Sequence, residues 1–244
     1  MSDDPGDGDR RESMIAAILR RLEGCRTIAV GASSPIPAAA ALLARANWEA
    51  RVLMLGNRRL DGFTDGGREL FDCAAQGRID AFFLSGGQID GRANVNLLGT
   101  GTYPHLERRF PGSFGSAYLY FLVPRVILFR EEHSSRTTPE RVDAVSAPGV
   151  SPPGVYRPGG PVALITGRAV FGFERDRERF SLESVHGGET AESVRKATGF
   201  DYDVPPAVSR TPPLTTGERQ RLRGPVAEAL AQAYPRFARL LMAA

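Results

Sequence analysis

The first part of the chain alternates between helical and extended hydrophobic patterns. Apolar residues at helical spacing over 12–22 predict a helix, and the run TIAV at 27–30 predicts a short buried strand. The same alternation continues with helices over 37–46 and 69–76 and with strands over 51–55, 81–84 and 125–129. This order is typical of a mostly parallel sheet with crossover helices, so we predict an α/β fold.

The hydrophobic pattern changes after Pro148. Alternation of apolar and polar positions over 162–185 predicts antiparallel strands, with turns near Gly167 and Asp176. We therefore expect the parallel sheet to be followed by a C-terminal antiparallel hairpin.

The remaining patterns bear on domain organisation. Thr190 can cap a helix over 191–197, and a last amphipathic helix is expected to begin near Thr216. The chain shows no internal repeat and no clear linker, so we predict a single domain over 12–244. The polar stretch MSDDPGDGDRR at 1–11 predicts a disordered tail.

Composition excludes several classes of function. The net charge of +3 comes almost entirely from arginines scattered among acids, with Lys196 as the one lysine, so nucleic-acid binding is not expected. No apolar run is long enough to cross a membrane. Cys25 and Cys73 lack a CxxC spacing and no signal peptide precedes them, which indicates a reducing cytoplasm.

Three loops rich in glycine and small polar residues are expected to follow strands. They are GASSP at 31–35, SGGQIDGRANVN at 85–96 and PGSFGSA at 111–117. Open parallel sheets bind ligands beyond the carboxyl ends of their strands, so these loops are candidate binding segments. Ordinary turns would explain any one of them, and three in one chain favour a binding function.

Most familiar catalytic and cofactor motifs are absent from the sequence. It contains no GxGxxG, no GxxxxGK[ST] and no GxSxG. His105, His133 and His186 are widely separated, without carboxylates at ligand spacing, and are expected at surface or loop positions. We predict no metal site and no tightly bound cofactor.

Four stretches of the chain resemble the B subunit of family I coenzyme A transferases of the glutaconate CoA-transferase type. They lie at 67–96, 108–117, 142–149 and 170–201, in this order. The resemblance implies an open α/β/α sandwich and a partner A subunit of the same fold. It also implies coenzyme A as the substrate moiety. In that family a B-subunit glutamate attacks the acyl-CoA thioester, an anhydride forms, and the released thiolate converts it to a glutamyl-CoA thioester.

The chain departs from this pattern at the end of its second predicted strand. Leu55 stands near the place of the glutamate, and the nearest acids, Asp61, Asp65 and Glu69, follow six or more positions later. Leucine can neither attack a carbonyl nor carry a thioester. We therefore expect no catalytic residue in this chain and no CoA-transferase activity from the chain alone.

The resemblance also implies an acyl-CoA site at a subunit interface. Gly86 and Gly87 would allow close approach of the ligand, and the amides of Gln88, Asn94 and Asn96 would position the acyl portion. Backbone N–H groups of Gly112, Ser113, Gly115 and Ser116 would stabilise an oxyanion or cradle coenzyme A. Phe114 replaces the small residue usual in that loop and either narrows or blocks the pocket.

Three hypotheses of function remain open at this point. The first is a catalytic heteromer, either a transferase or a ring-opening acyl-CoA hydrolase in which the A subunit supplies the glutamate, as in the family branch that degrades steroid rings. The second is a binding module that keeps the fold without the chemistry. The third is a structural partner of the A subunit.

Overall fold

The computed structural model describes residues 5–56 and 65–243. They form two compact units, one from Met1–Phe83 with Thr211–Ala244 and the other from Leu84–Arg210. We describe each unit by itself and call them the first and second unit.

The first unit begins with alternating helices and strands. They are α1 (Pro5–Arg21), β1 (Thr27–Val30), α2 (Pro35–Trp48), β2 (Arg51–Met54), α3 (Gly66–Ala75) and β3 (Ala81–Leu84). Strand β1 pairs in parallel with β2 and with β3, and Ile28 is in register with Val52 and Ala81. The predicted parallel strands are therefore present, and the two runs TIAV and AFFL occupy the predicted residues.

Helix α1 begins earlier than the sequence pattern predicts. It starts at Pro5, so residues 5–11, which were expected in a disordered tail, belong to the helix, while residues 1–4 lie outside the described residues. An acid such as Asp9 is favourable near a helix N-terminus, and the Ser13 hydroxyl donates to the Asp9 carbonyl at 2.9 Å. Arg11 is buried, which ties this turn to the unit.

Helix α2 is buried on all sides, because nine consecutive residues from Ile36 to Ala44 are buried and six of them are small residues, alanine or proline. Pro35 occupies its first turn, where the missing N–H costs no hydrogen bond, and Ala38–Ala41 are buried completely. The helix ends at Glu49 in the left-handed conformation with φ 60°. The Trp48 indole donates to the Cys25 carbonyl at 3.0 Å, which fixes the C-terminal turn against the segment before β1.

The second unit contains the remaining strands and two short helices. They are β4 (Gln88–Ile89), β5 (Val95–Asn96), β6 (Gly99–Thr100), β7 (Arg108–Arg109), α4 (Ser116–Leu122), β8 (Arg125–Arg130), β9 (Pro161–Thr166), β10 (Ala169–Glu174), β11 (Arg179–Val185), α5 (Ala191–Ala197) and β12 (Ser209–Arg210). Strands β8 and β9 are parallel, β9, β10 and β11 are antiparallel, and β12 is parallel to β11. The predicted C-terminal antiparallel hairpin is thus confirmed.

An aromatic cluster forms the core beside this hairpin. The Phe171 ring contacts the Tyr202 ring edge-on with centroids 5.0 Å apart, and Phe173 contacts Phe180 in the same way at 4.9 Å. Such edge-to-face pairs add stabilisation beyond the burial of their surface. Thr190 caps α5 as predicted, because its hydroxyl accepts from the Ser193 N–H at 3.1 Å.

The C-terminal helices return to the first unit. They are α6 (Thr216–Arg221), a π-turn at Leu222–Val226, α7 (Ala227–Leu230) and α8 (Pro235–Ala243). The single amphipathic helix predicted from Thr216 is therefore broken, since Gly224 leaves the helical region and Pro225 has no N–H to donate. No helix in the described parts of the chain is long and apolar enough to cross a membrane.

Candidate functional site

The loop SGGQIDGRANVN, the strongest binding candidate in the sequence, folds into a small hairpin. Strand β4 pairs with β5 in antiparallel fashion, so that Gln88 lies opposite Asn96. The Asn96 side chain is completely buried, and its Nδ2 donates to Gln88 Oε1 and to the Gly99 carbonyl, both at 2.7 Å. Its Oδ1 accepts from the N–H groups of Leu98 and Gly99 at 3.0 and 3.2 Å. Both polar atoms of the Asn96 side chain therefore have hydrogen-bond partners within the same chain.

Asp90 organises the tip of the same hairpin. Its carboxylate accepts from the N–H groups of Arg92 and Asn94, both at 3.0 Å, and from Asn94 Nδ2 at 3.1 Å. Ala93 takes the left-handed conformation with φ 59°, and the buried Tyr120 hydroxyl donates to its carbonyl at 2.9 Å. Burial raises the pKa of Tyr120 well above its usual value, so the hydroxyl keeps its proton. The tip of the hairpin is held rigidly by these bonds.

The two glycines of this loop face protein atoms. A Cβ on Gly86 would lie 2.4 Å from Val95 Cγ1, and a Cβ on Gly87 would lie 2.0 Å from the Phe110 ring. A side chain at either position would therefore have to displace Val95 or the Phe110 ring inside the second unit. The predicted role of the glycines in close approach of a ligand stays a prediction.

The segment 142–149 packs along the hairpin through these same polar groups. The Asp143 N–H donates to Gln88 Oε1 at 2.9 Å, and the Gly149 N–H donates to Asn94 Oδ1 at 3.2 Å. Val95 forms an antiparallel bridge with Ala147. Two of the stretches that carry the family resemblance, far apart along the chain, thus contact each other directly.

The loop at 111–117 leads into α4 and is largely exposed. Phe114 is 74% exposed and adopts φ 29°, a conformation that non-glycine residues rarely take. The Ser116 N–H donates to the Ser113 carbonyl at 2.7 Å, and the Ser116 hydroxyl binds the same carbonyl. One of the predicted oxyanion donors is therefore used within the loop, and Gly112, Ser113 and Gly115 remain candidates.

The end of β2 belongs to the first unit. Leu55 directly follows this strand, and its N–H donates to the Val30 carbonyl at 3.0 Å. Asp61 lies in the stretch 57–64, outside the described residues. Asp65 pairs with Arg68 at 3.0 Å, and Glu69 accepts from the Asp65 N–H at 3.3 Å in the first turn of α3. These two acids act as helix-terminus residues in the structure.

A groove of about 560 Å³ opens beside the hairpin tip. Its lining carries four guanidinium groups, those of Arg92, Arg141, Arg177 and Arg179, and five carboxylates, those of Asp90, Glu140, Asp143, Glu178 and Asp201. Several of these groups form ion pairs, such as Arg92 with Glu178 and Arg179 with Asp201. The mixed charge gives this groove no preference for an anionic ligand.

Arg130, which the sequence did not single out, ends strand β8 beside the candidate loop. Its Nη1 donates to the Gly86 carbonyl at 2.9 Å, and its Nη2 lies 3.4 Å from Glu132 Oε2. Its Nε is buried and has no hydrogen-bond partner among the described residues. The only sequence signal was a charged residue at the end of the apolar run RVILF, which is common at strand ends.

Two of the three histidines bond the same residue, Thr166, although they are distant in sequence. His133 Nδ1 bonds the Thr166 hydroxyl at 2.7 Å, and His186 Nε2 bonds the Thr166 carbonyl at 2.8 Å. Both lie in loops as expected, but both are buried. Burial, with a smaller contribution from Arg168, lowers the pKa of His133 to about 4. His133 is therefore neutral at physiological pH and serves as a hydrogen-bonding core residue.

The sequence of the chain is similar to the B subunits of two CoA-transferases. It is 32% identical over 138 residues to the B subunit of glutaconate CoA-transferase from Acidaminococcus fermentans. It is 31% identical over 153 residues to the B subunit of 3-oxoadipate CoA-transferase from Pseudomonas knackmussii. The matches cover 54% and 60% of this chain, and they span 51% and 58% of the two relatives. No family model matches the chain.

The fold agrees over a larger part of the chain. Glutaconate CoA-transferase of A. fermentans superposes with a TM-score of 0.77 at 21% identity, covering 91% of this chain and 96% of that one. IpdAB of Rhodococcus jostii RHA1 gives 0.77 and the decarboxylase AibA/AibB gives 0.75, each at 24% identity and covering 88% of this chain and 93% of the other. The resemblance to CoA-transferase B subunits is confirmed.

The predicted α/β fold of the CoA-transferase type is confirmed by the same superpositions. This fold includes a transferase and a decarboxylase, so it does not by itself select a reaction. The structure places Gln88, Asn94 and Asn96 on one hairpin, where Gln88 is bonded to Asn96 and Asn94 is bonded to Asp90. It leaves the loop at 111–117 as a separate, exposed segment, and the predicted ligand-binding roles of both remain predictions.

Proposed function

We propose that this chain is the B-type subunit of a heteromeric CoA-transferase-like protein and binds an acyl-CoA together with an A-type subunit of the same fold. The observation that carries the proposal is the 32% identity to a glutaconate CoA-transferase B subunit. The names of both curated relatives support an acyl-CoA as ligand and a second subunit as partner.

The end of β2 determines which part of the chemistry this chain can perform. A family glutamate at that point would attack the thioester carbonyl, and the CoA thiolate would leave as the anhydride forms. Leu55 has no nucleophilic atom, and the nearby Glu69 is engaged at the start of α3. In this proposal the carboxylate that attacks the acyl-CoA is therefore supplied by the A subunit, and this chain shapes the acyl site.

The first experiment tests the assembly. The chain is coexpressed with A-type subunits encoded in the same genome, and the products are analysed by size-exclusion chromatography with light scattering. We expect a stable heteromer that binds glutaryl-CoA or hexanoyl-CoA in calorimetry. If the chain stays monomeric with every A-type subunit but binds one of these thioesters, the binding-module hypothesis is favoured.

The second experiment locates the reacting carboxylate. The assembled protein is incubated with acyl-CoA, treated with borohydride and digested for mass spectrometry, since a glutamyl-CoA thioester is reduced to an alcohol. We expect no reduced carboxylate in this chain, and the Glu69→Gln variant should give the same pattern as the unaltered protein. A reduced Asp61, Asp65 or Glu69 would contradict the placement of Leu55 at the glutamate's position.

A non-catalytic role remains the second candidate because two observations favour it. The amides of Asn94 and Asn96 are bonded to their own chain, and the position at the end of β2 lacks a carboxylate. A heteromer that binds acyl-CoA but neither transfers nor hydrolyses it would support this candidate.

A further inference from the structure

Helix α4 is apolar around its whole circumference, although part of it lies at the surface of the second unit. Its sequence is SAYLYFL, and Ser116 is the one residue that is neither aliphatic nor aromatic. Leu119 and Tyr120 are buried. Tyr118 is exposed and Phe121 is half-buried. A helix that is hydrophobic on all sides is typical of a buried element, so the outer side of α4 is expected to be covered by another molecule.

Two further aromatic rings lie beside α4 and are more exposed than the rings of the helix. Phe114, in the loop before α4, is 74% exposed, and Tyr156 is 84% exposed. Arg157 holds the Tyr156 loop against α4, because its guanidinium donates to the Tyr120 carbonyl at 3.0 Å and its Cζ lies 5.7 Å from the centre of the Phe121 ring. We call these exposed and half-buried rings the aromatic face: Phe114, Tyr118, Phe121 and Tyr156.

The exposure of Phe114 carries a backbone cost. Its φ of 29° lies in the left-handed region, which glycine adopts freely and a bulky side chain rarely takes. Strained conformations of this kind are concentrated at functional sites. A glycine would relieve the strain, so the conformation of this loop does not account for a phenylalanine there.

Two guanidinium groups beside the aromatic face have no carboxylate partner. In the described chain Arg157 binds three backbone carbonyls, and neither Arg157 nor Arg175 forms an ion pair with an acid. A Cβ on Gly160 would lie 2.6 Å from Arg175 Nη2, and the neighbouring Gly159 N–H donates to the Phe121 carbonyl at 2.8 Å. Burial lowers the pKa of Arg157, and the charge of Arg175 lowers it further. Positive charge therefore borders the aromatic face at the C-terminal end of α4.

We propose that the aromatic face binds the A-type subunit through an apolar surface of that subunit bordered by carboxylates. The inference rests on the proposed function and adds the surface by which the partner is bound. Tyrosine and arginine are the residues that most often dominate the free energy of protein–protein binding. Carboxylates of the partner would neutralise Arg157 and Arg175, which the described chain leaves without an acid.

The charge beside the aromatic face favours a different subunit over a second copy of this chain. In a two-fold dimer of identical chains, each copy contributes the same surface to the interface. Arg157 and Arg175 of one copy would then approach the same two arginines of the other. Like charges placed opposite each other weaken binding, whereas carboxylates of a different subunit strengthen it.

The first test measures the dissociation constant of the heteromer by surface plasmon resonance, with an A-type subunit from the same genome immobilised. Tyr118→Ala and Tyr156→Ala should each raise this constant by at least about 30-fold, as expected for aromatic residues at the centre of an interface. Val204→Ala is the control, because Val204 is also exposed but lies beside β11, three strands from the β8 strand that follows α4. It should change the constant by less than about twofold.

Phe114→Gly separates binding from stability. Glycine takes a φ of 29° without strain, so the melting temperature of the chain by itself should fall by no more than about 2 °C. The affinity for the A-type subunit should nevertheless fall by about 10-fold or more. A large drop in melting temperature with unchanged affinity would mean that Phe114 serves the fold, and would contradict its place in the interface.

Arg175→Gln tests the charge beside the face. The affinity for the A-type subunit should fall by about 3- to 10-fold, and it should depend less on salt concentration, because one ion pair across the interface is lost. Lys196→Gln removes a charge from an exposed position on α5 and should change neither quantity. An identical salt dependence in Arg175→Gln and the unaltered protein would contradict the carboxylate border on the partner.

The possible outcomes separate this inference from the proposed function. If the heteromer forms and the aromatic variants bind the A-type subunit as tightly as the unaltered chain, the inference is wrong and the proposed function stands. A homodimer that Tyr156→Ala dissociates, or a heteromer in which the variants lose only acyl-CoA binding, would assign the face to another occupant and also overturn the inference. If no A-type subunit binds the unaltered chain, both proposals fail.

Discussion

Replacing Asn96 with alanine tests whether the polar residues of the β4–β5 hairpin serve the fold. The side chain is completely buried and makes four hydrogen bonds. The substitution leaves the N–H groups of Leu98 and Gly99 and the Gly99 carbonyl without their partner, whereas Gln88 Oε1 keeps its bond from Asp143. At roughly 1 kcal/mol for each buried group left unsatisfied, the loss is about 3 kcal/mol.

This loss should be visible in thermal unfolding. For a chain of this length about 1 kcal/mol corresponds to roughly 2–4 °C, so the melting temperature of Asn96→Ala should fall by about 6–12 °C in differential scanning calorimetry. The matched control is Asn47→Ala, because Asn47 is an exposed residue of α2 with one marginal bond of 3.5 Å to Glu218. Its melting temperature should change by less than about 2 °C.

The opposite result would refute this reasoning. If Asn96→Ala melts within about 2 °C of the unaltered protein, the four hydrogen bonds contribute little to stability. A simultaneous loss of acyl-CoA affinity in the heteromer would then support the ligand-binding role that the sequence predicts for Asn96.

Two further predictions concern pH. The pKa of His133 in the folded protein, about 4, lies below the usual 6.5, so the unfolded chain binds a proton that the folded chain does not. Up to about 3 kcal/mol of stability is therefore lost as the pH falls from 6.5 to 4. Urea titrations should show that the free energy of unfolding falls less with pH in His133→Gln, and an equal dependence on pH would contradict the assignment. Glu218 binds Arg20 through both carboxylate oxygens at 2.7 and 2.9 Å. Mainly because of these hydrogen bonds, the pKa of Glu218 falls to about 2. The stabilisation from this ion pair is present above pH 4.5 and is lost as the pH falls towards 2. The melting temperature of Glu218→Gln should therefore fall less steeply between pH 4.5 and pH 2 than that of the unaltered protein. An unchanged pH dependence of the melting temperature would show that the pair contributes nothing.

Local sequence determines most of the secondary structure of this protein. The strands at 27–30 and 81–84 and the helix at 191–197 occupy the predicted residues, because apolar periodicity and a threonine cap act over a few neighbouring positions. The resemblance stretches likewise predicted the CoA-transferase fold that the superpositions confirm. Short strands such as β4 and β5 were not predicted, because a strand of two residues shows no periodicity.

The position of the break in the C-terminal helix also depends on more than the local hydrophobic pattern. The apolar spacing after Thr216 predicts one continuous helix, and the sequence does show Gly224 and Pro225 within it. A proline can be tolerated in a helix when neighbouring groups replace the lost hydrogen bond, so its presence alone does not show where the helix breaks. The packing of α6, α7 and α8 within the first unit determines that point.

The roles of the polar side chains depend on tertiary structure for a physical reason. An amide can bind a ligand or its own backbone with equal chemistry, and sequence does not show which partner lies within about 3 Å. The bond from Asp143 to Gln88 joins residues 55 positions apart, and only the folded chain brings them together. Arg130 shows the same dependence, because the deficit of acceptors around its guanidinium arises from the positions of Gly86 and Glu132 in space.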